Sequence, residues 1–168
     1  MSMKKTDCVL LMLLMLAILP EVGADSFFVC VQENGGDYSP AKEGLFNGLF
    51  EHDHIVFDDA QGRYIVPSAE ADFKELIGLA ARGGAEFLVA ARVTSDLTNL
   101  SEEIVSIKSK AYYYFIDVKL GKLVAENELS RAVQGEKAEV DSDKLIYLLG
   151  EDLSREIDSI WKKQYNIQ

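Results

Sequence analysis

The sequence predicts an α/β domain: a mixed sheet of four to five strands with helices packed on its faces, in the order β-α-β-α-β-β-β-α. Three observations lead there. In the first half, apolar runs of strand length alternate with stretches of helical period, the pattern of crossover units that pair strands in parallel. In the second half, a long aromatic-rich extended section is broken only by a glycine turn, which reads as an antiparallel hairpin. One amphipathic helix closes the chain.

Each element follows from its residues. Residues 27–32 are aromatic and β-branched and suit a buried strand, with Cys30 as a buried, inert thiol inside it. Residues 33–37 form a loop. Ser39 caps a helix that opens on Pro40, whose fixed φ suits the first helical position. Ala41, Leu45 and Leu49, with Phe46 and Phe50 beside them, make its apolar face as far as about Glu51. His54–Asp58 is the next strand, centred on Ile55, Val56 and Phe57. Residues 59–68 are a connection in which Tyr64, Ile65 and Val66 are extended. Ser68 is read as a second helix cap, with Glu70 facing the positive helix end. Phe73, Leu76, Ile77 and Ala80 then carry the i, i+3, i+4, i+7 spacing, and Gly83 and Gly84 stop the helix.

Glu86–Thr94 is a third strand and 95–102 a polar loop. Ile104–Val118 is extended, with Tyr112, Tyr114, Ile116 and Val118 on one side and Ile107, Ala111, Tyr113 and Phe115 on the other. Leu120, Gly121 and Lys122 turn the chain, and Leu123–Leu129 returns. Residues 131–140 are charged and read as a loop. Asp141 and Ser142 cap the last helix, whose stripe is Ile146, Leu149, Leu153, Ile157 and Ile160, with Trp161 beside it.

Composition narrows the function classes. The chain has 168 residues and a net charge of −11, so phosphate backbones and anionic membranes repel it, and it carries no basic stripe. This excludes nucleic acid as a partner. With 2 Cys, neither a disulfide scaffold nor a cysteine-rich zinc fold is available.

Residues 1–24 read as a cleavable signal peptide. Lys4 and Lys5 precede the apolar run Val9–Leu19, which is too short to span a bilayer comfortably; Pro20 follows, and Val22 and Ala24 fit the −3 and −1 positions of a cleavage site. The expected mature protein begins at Asp25 and is one α/β domain over residues 25–168, exported to the periplasm, with no stable membrane insertion after cleavage. Cys8 precedes the apolar run, whereas a lipid-modified cysteine would follow it, so the reading is not a lipoprotein.

Two constellations stand out as candidate sites. His52 and His54, with Asp53, Asp58 and Asp59 close by, hold the residue types of a metal site, but His52 falls in the loop and breaks the shared face that two ligands would need. In the extended section, Tyr112 and Tyr114 share a face with Lys108 and Lys110. That face is either core or, where exposed, an interaction surface. Asn34-Gly35-Gly36 lacks the Lys-Ser/Thr pair or third glycine of a phosphate cradle and reads as a turn. Paired acids such as Asp58-Asp59 and Glu102-Glu103 read as solvated surface, and there is no nucleophile elbow.

Three segments, taken together, resemble one group of bacterial envelope proteins. They are Gly44-Leu45-Phe46-Asn47-Gly48-Leu49-Phe50 with His54-Ile55-Val56-Phe57; the passage from Leu79 through Gly83-Gly84-Ala85-Glu86 into Phe87–Thr94; and Phe115-Ile116-Asp117-Val118-Lys119-Leu120-Gly121-Lys122-Leu123-Val124, an Asp-x-x-x-Gly hairpin. The group includes the curli-secretion lipoprotein, the TolB amino-terminal domain and the lipoprotein activators of penicillin-binding proteins. The resemblance implies a non-catalytic α/β adaptor that works by protein–protein contact, with no cofactor and no catalytic residues to carry over. The chain departs from the group in lacking a lipid-anchor cysteine after the apolar run and any insert suited to pore-forming strands. The expected partner is an envelope protein, with an assembly of identical copies left open. The alternative is an envelope enzyme, or a small-ligand or metal binder, that uses the His52/His54 region.

Overall fold

The computed structural model describes residues 25–33, 39–58, 65–67 and 73–165. The elements are β1 (Ser26–Glu33), α1 (Pro40–Glu51), β2 (Ile55–Asp58), α2 (Lys74–Gly83), β3 (Phe87–Asn99), β4 (Ile104–Asp117), β5 (Lys122–Glu136) and α3 (Ser142–Gln164). They form one five-stranded sheet in the order β2-β1-β3-β4-β5. β1 pairs in parallel with both β2 and β3, while β3, β4 and β5 are antiparallel. This is the expected architecture and element order.

The layers follow from the connections. The chain steps from β1 to β2 in one direction and from β2 back past β1 to β3 in the other. Right-handed crossovers in opposite directions put α1 and α2 on opposite faces. Phe27, Val29, Phe87, Val89, Tyr113 and Phe115 meet Leu45 and Leu49 of α1 and Leu153 and Ile157 of α3. On the other face, Phe28, Leu88, Ala90, Tyr114 and Ile116 meet Leu76 and Ala80 of α2. Each such large apolar side chain contributes about 1.5–3 kcal/mol on burial.

Polar groups fix the ends of the elements. The Ser39 hydroxyl accepts from the Lys42 N–H at 3.1 Å and donates to Glu33 at 2.7 Å, tying the start of α1 to the end of β1. Asp141 caps α3 by accepting from the Lys144 N–H at 3.0 Å. Asp117 accepts from the Leu120 N–H at 2.8 Å, and Gly121 takes φ +60. The Asp-x-x-x-Gly hairpin is therefore an aspartate-stabilised turn with glycine where φ must be positive.

α1 and α3 touch through glycines. A Cβ added at Gly44 would fall on the Tyr147 carbonyl oxygen, one at Gly48 on the Ser154 hydroxyl, and one at Gly150 on the Ala41 carbonyl oxygen and 2.8 Å from the Leu45 nitrogen. The two helices approach until backbone meets backbone. Of the expected apolar face of α1, Ala41, Leu45 and Leu49 are buried, and the correction concerns Phe46 and Phe50. The glycine flank makes the contact, Phe46 is half-buried, and Phe50 is 69% exposed.

Strand lengths also differ from expectation. β3 runs to Asn99 rather than Thr94, so residues 95–99 are strand and not loop. β5 continues to Glu136 rather than Leu129, which shortens the expected 131–140 loop to the turn after Glu136. The added residues pair across β4, from Ser95–Ser109 to Asn99–Val105 and from Ser130–Lys110 to Glu136–Ile104. Backbone bonding and cross-strand side-chain contacts, such as the Ser95 and Ser109 hydroxyls 2.8 Å apart, carry the ladder past the helical cover. Cys30 is half-buried rather than buried. The signal segment, the Asn34-Gly35-Gly36 turn, Tyr64 and the Ser68 cap with Glu70 lie outside the described residues, and α2 itself begins at Lys74.

Candidate functional site

The extended ends of β3, β4 and β5 make a three-stranded arm that continues beyond α2 on one face, while on the other face Val105, Ile107 and Ser109 of β4 stay buried. Cross-strand partners share a face. On the α2 side the register lines up Arg92, Tyr112 and Glu128, then Thr94, Lys110 and Ser130, then Asp96, Lys108 and Ala132. This is the face on which the sequence placed Lys108, Lys110, Tyr112 and Tyr114, and the structure brings those four together as a row on β4.

They are not equally accessible. Tyr114 is 1% exposed, packed against Phe73 with ring centroids 4.6 Å apart and edge-on to Tyr112 at 5.2 Å. It belongs to the core under α2 and is no contact residue. Its hydroxyl has no hydrogen-bond partner among the described residues, and burial pushes its pKa up. Tyr112 is half-buried at the edge of the helical cover, and Lys110 is half-exposed with its ammonium 3.0 Å from Glu128. Lys108 is exposed. The accessible part of the surface is thus Tyr112, Lys110 and Lys108, flanked by Thr94, Asp96 and Ser130. It offers hydroxyls, ammonium groups and one aromatic face, which suits recognition. On the opposite face, burial and the Glu156 carboxylate, which accepts from the Tyr113 hydroxyl at 2.6 Å, hold that phenol far above its usual range.

The histidines lie at the other end of the sheet. His52 caps the carboxyl end of α1, and His54 precedes β2. Both face one buried carboxylate. Asp158 of α3 is 3.2 Å from His54 Nε2, 3.8 Å from His52 Nδ1 and 2.7 Å from the Lys162 ammonium. The His54 ring lies 4.5 Å from Phe27 and edge-on to Trp161 at 4.9 Å, and the residue is 4% exposed. Burial holds its imidazole below the ordinary value, against the hydrogen bond to Asp158 that favours the charged form. Lys162 already supplies the cation at Asp158, and His54 is walled in by aromatics. The cluster fastens α3 to the α1–β2 turn, with His52 half-exposed at its edge.

Sequence reasoning missed two features. One is the glycine seam, whose signal was the four-residue spacing of Gly44 and Gly48. The other is a groove of about 350 Å³ between the end of β5 and the start of α3, lined by Val133, Val140, Leu145 and Leu148 among others. No single segment signals it, because the two walls come from different elements.

Comparison with known proteins adds the fold. No protein-family model and no curated protein matches the sequence. Solved structures do match. PelC from Paraburkholderia phytofirmans, a dodecamer, is 14% identical at a TM-score of 0.51, over 79% of this chain and 87% of that one. A minor lipoprotein from Acinetobacter baumannii is 12% identical at a TM-score of 0.50, over 81% and 92%. TolB from Acinetobacter baumannii, which belongs to the group the sequence resembles, is matched more loosely, at 12% identity and a TM-score of 0.44, over 86% of this chain and 29% of TolB. At these identities the likeness is one of fold: the chain has the mixed-sheet α/β fold that PelC and the minor lipoprotein share.

Proposed function

We propose that the protein is an exported, non-catalytic adaptor of the bacterial cell envelope that works by protein–protein contact through the arm. One observation carries this reading: β3, β4 and β5 continue beyond α2 and leave Lys108, Lys110 and Tyr112 accessible on a paired, rigid face. Strands held on both sides by hydrogen bonds present side chains in fixed positions, which lowers the ordering cost of docking. The fold shared with PelC and with a lipoprotein supports an envelope setting, and among the described residues no helix is long and apolar enough to cross a membrane. A signal peptide cleaved after Ala24, leaving a mature chain that starts at Asp25 without a lipid anchor, fits the same reading. PelC is a dodecamer, so identical copies are one form the partner takes.

The test is in-cell crosslinking of the tagged protein, read by mass spectrometry, beside a Lys108→Glu/Lys110→Glu/Tyr112→Ala variant. Tyr114 is left alone because it is core. One dominant envelope protein, or a second copy of this chain, should be recovered with wild type and lost with a variant that melts at the same temperature. Equal recovery by both proteins, or no specific partner for a well-exported wild type, would sink the proposal.

A further inference from the structure

The arm has a second face, unlike the first. Register sets Leu97 opposite Ile107, and Ile107 opposite Val133, so aliphatic side chains cross all three strands in one row. The row lies on the α3 side, because Ile107 shares its face with Tyr113 and Phe115. Leu97 is 59% exposed and Val133 half-buried, while Ile107 between them is buried at 5%. The row ends at the groove of about 350 Å³, where Val133 of β5 faces Val140, Leu145 and Leu148. Gly135 helps keep the groove open, since a Cβ there would come within 3.2 Å of Val140 Cγ2. This volume lies near the lower end of the range for small-molecule pockets, and it accommodates side chains better than a cofactor.

The rim of the groove is acidic. Glu139 and Asp141 line it, and Glu136 and Asp143, exposed like them, lie close by along the chain. Glu102 and Glu103 stand on the next turn, held there by the Lys137 N–H, which donates to the Glu103 carbonyl at 2.8 Å. Among the described residues, Lys137 and Lys144 oppose them at this end. An apolar floor draws any hydrophobic segment, but a negative rim on a chain of net charge −11 selects by sign. It repels acidic segments and anionic lipid surfaces and favours lysine and arginine.

We propose that this groove binds a cationic amphipathic segment of a partner protein. An aliphatic side chain of the segment enters between β5 and α3, its apolar face lies along Val133 and the exposed Leu97, and its basic residues pair with the acidic rim. The surface is separate from the Lys108/Lys110/Tyr112 face and stands whether or not that face docks a partner.

The experiment titrates the purified full chain, as the cell processes it, with a short synthetic peptide carrying Leu and Lys at helical spacing, and with its Leu/Glu counterpart. The Leu/Lys peptide should bind, and should weaken about tenfold or more on moving from low to high salt. The Leu/Glu peptide should not bind. Leu97→Asp/Val133→Asp should lower the affinity about tenfold, which is the scale of one buried aliphatic contact. Glu139→Lys changes one exposed residue of the lining and should weaken binding even if the apolar variant fails to fold. Lys108→Glu/Lys110→Glu should bind as wild type does. Failure of the Leu/Lys peptide to bind, equal binding of both peptides, or binding unmoved by the rim variant would overturn the proposal.

Discussion

From Phe87 to Val93, β3 is covered on both faces, with only Arg92 reaching half into solvent; from Ser95 to Asn99 it is exposed throughout. One strand thus passes through two regimes. In the body, helices on both sides select for Phe, Leu, Val and Ala. In the arm, the hydrogen-bond ladder continues without that cover, so Ser95, Asp96 and Thr98 are tolerated, and Leu97 stays in view. The comparison separates what makes a strand from what makes a core. Pairing needs only partners, whereas burial needs a second layer.

The contrast is sharpest in a pair of truncations. Phe115→Ala in the body should cost about 3–5 kcal/mol, because it opens a cavity between packed layers. Leu97→Ala in the arm should cost less than about 0.5 kcal/mol, the scale of surface substitutions. Urea unfolding measures both, and similar losses would erase the distinction.

A smaller effect tests how the body is closed. Gly150→Ala places a methyl group on the backbone of α1 and should cost about 1–3 kcal/mol as the helices are pushed apart. A melting temperature unchanged from wild type would show that the α1–α3 contact is looser than the glycines imply.

The smallest effect is on pH dependence. Burial lowers the pKa of His54 in the folded protein from the ordinary 6.5. As pH falls, the unfolded chain therefore takes up this proton first. Stability from this group is full above about pH 6.5 and declines below it. His54→Gln should flatten the decline between about pH 7 and pH 5.5, whereas Lys108→Ala, on the arm, should leave it in place. Parallel declines in wild type and His54→Gln would remove His54 as the cause.

Much of this was legible in the chain. The element order follows from apolar runs separated by Gly, Ser and Pro, and the α3 stripe of Ile146, Leu149, Leu153 and Ile157 is buried as its spacing predicts. Alternation along β4 correctly put Lys108, Lys110, Tyr112 and Tyr114 on one face. It did not tell where α2 ends above them, and so it did not separate buried Tyr114 from accessible Tyr112. That boundary depends on how far a ten-residue helix reaches over the sheet, which is a tertiary fact. The strand extensions were hidden for a related reason. Ser95–Asn99 and Arg131–Glu136 lack a buried face, and hydrophobic pattern reports burial better than pairing. Phe50 misled because its helix contacts α3 through glycines, which carry no hydrophobic signal.

The position of β1 has a consequence in time. It is the first strand of the described chain, yet it is an inner strand of the sheet, flanked by β2 and β3. Ser26 meets Glu86, sixty positions further along the chain. Polypeptides emerge from the ribosome amino end first. β1 therefore waits for β3 before its second edge is paired, and Leu45 and Leu49 wait for Leu153 on the last helix. Closure is a late event in the life of each copy, and the carboxyl-terminal helix is the latch that ends the wait.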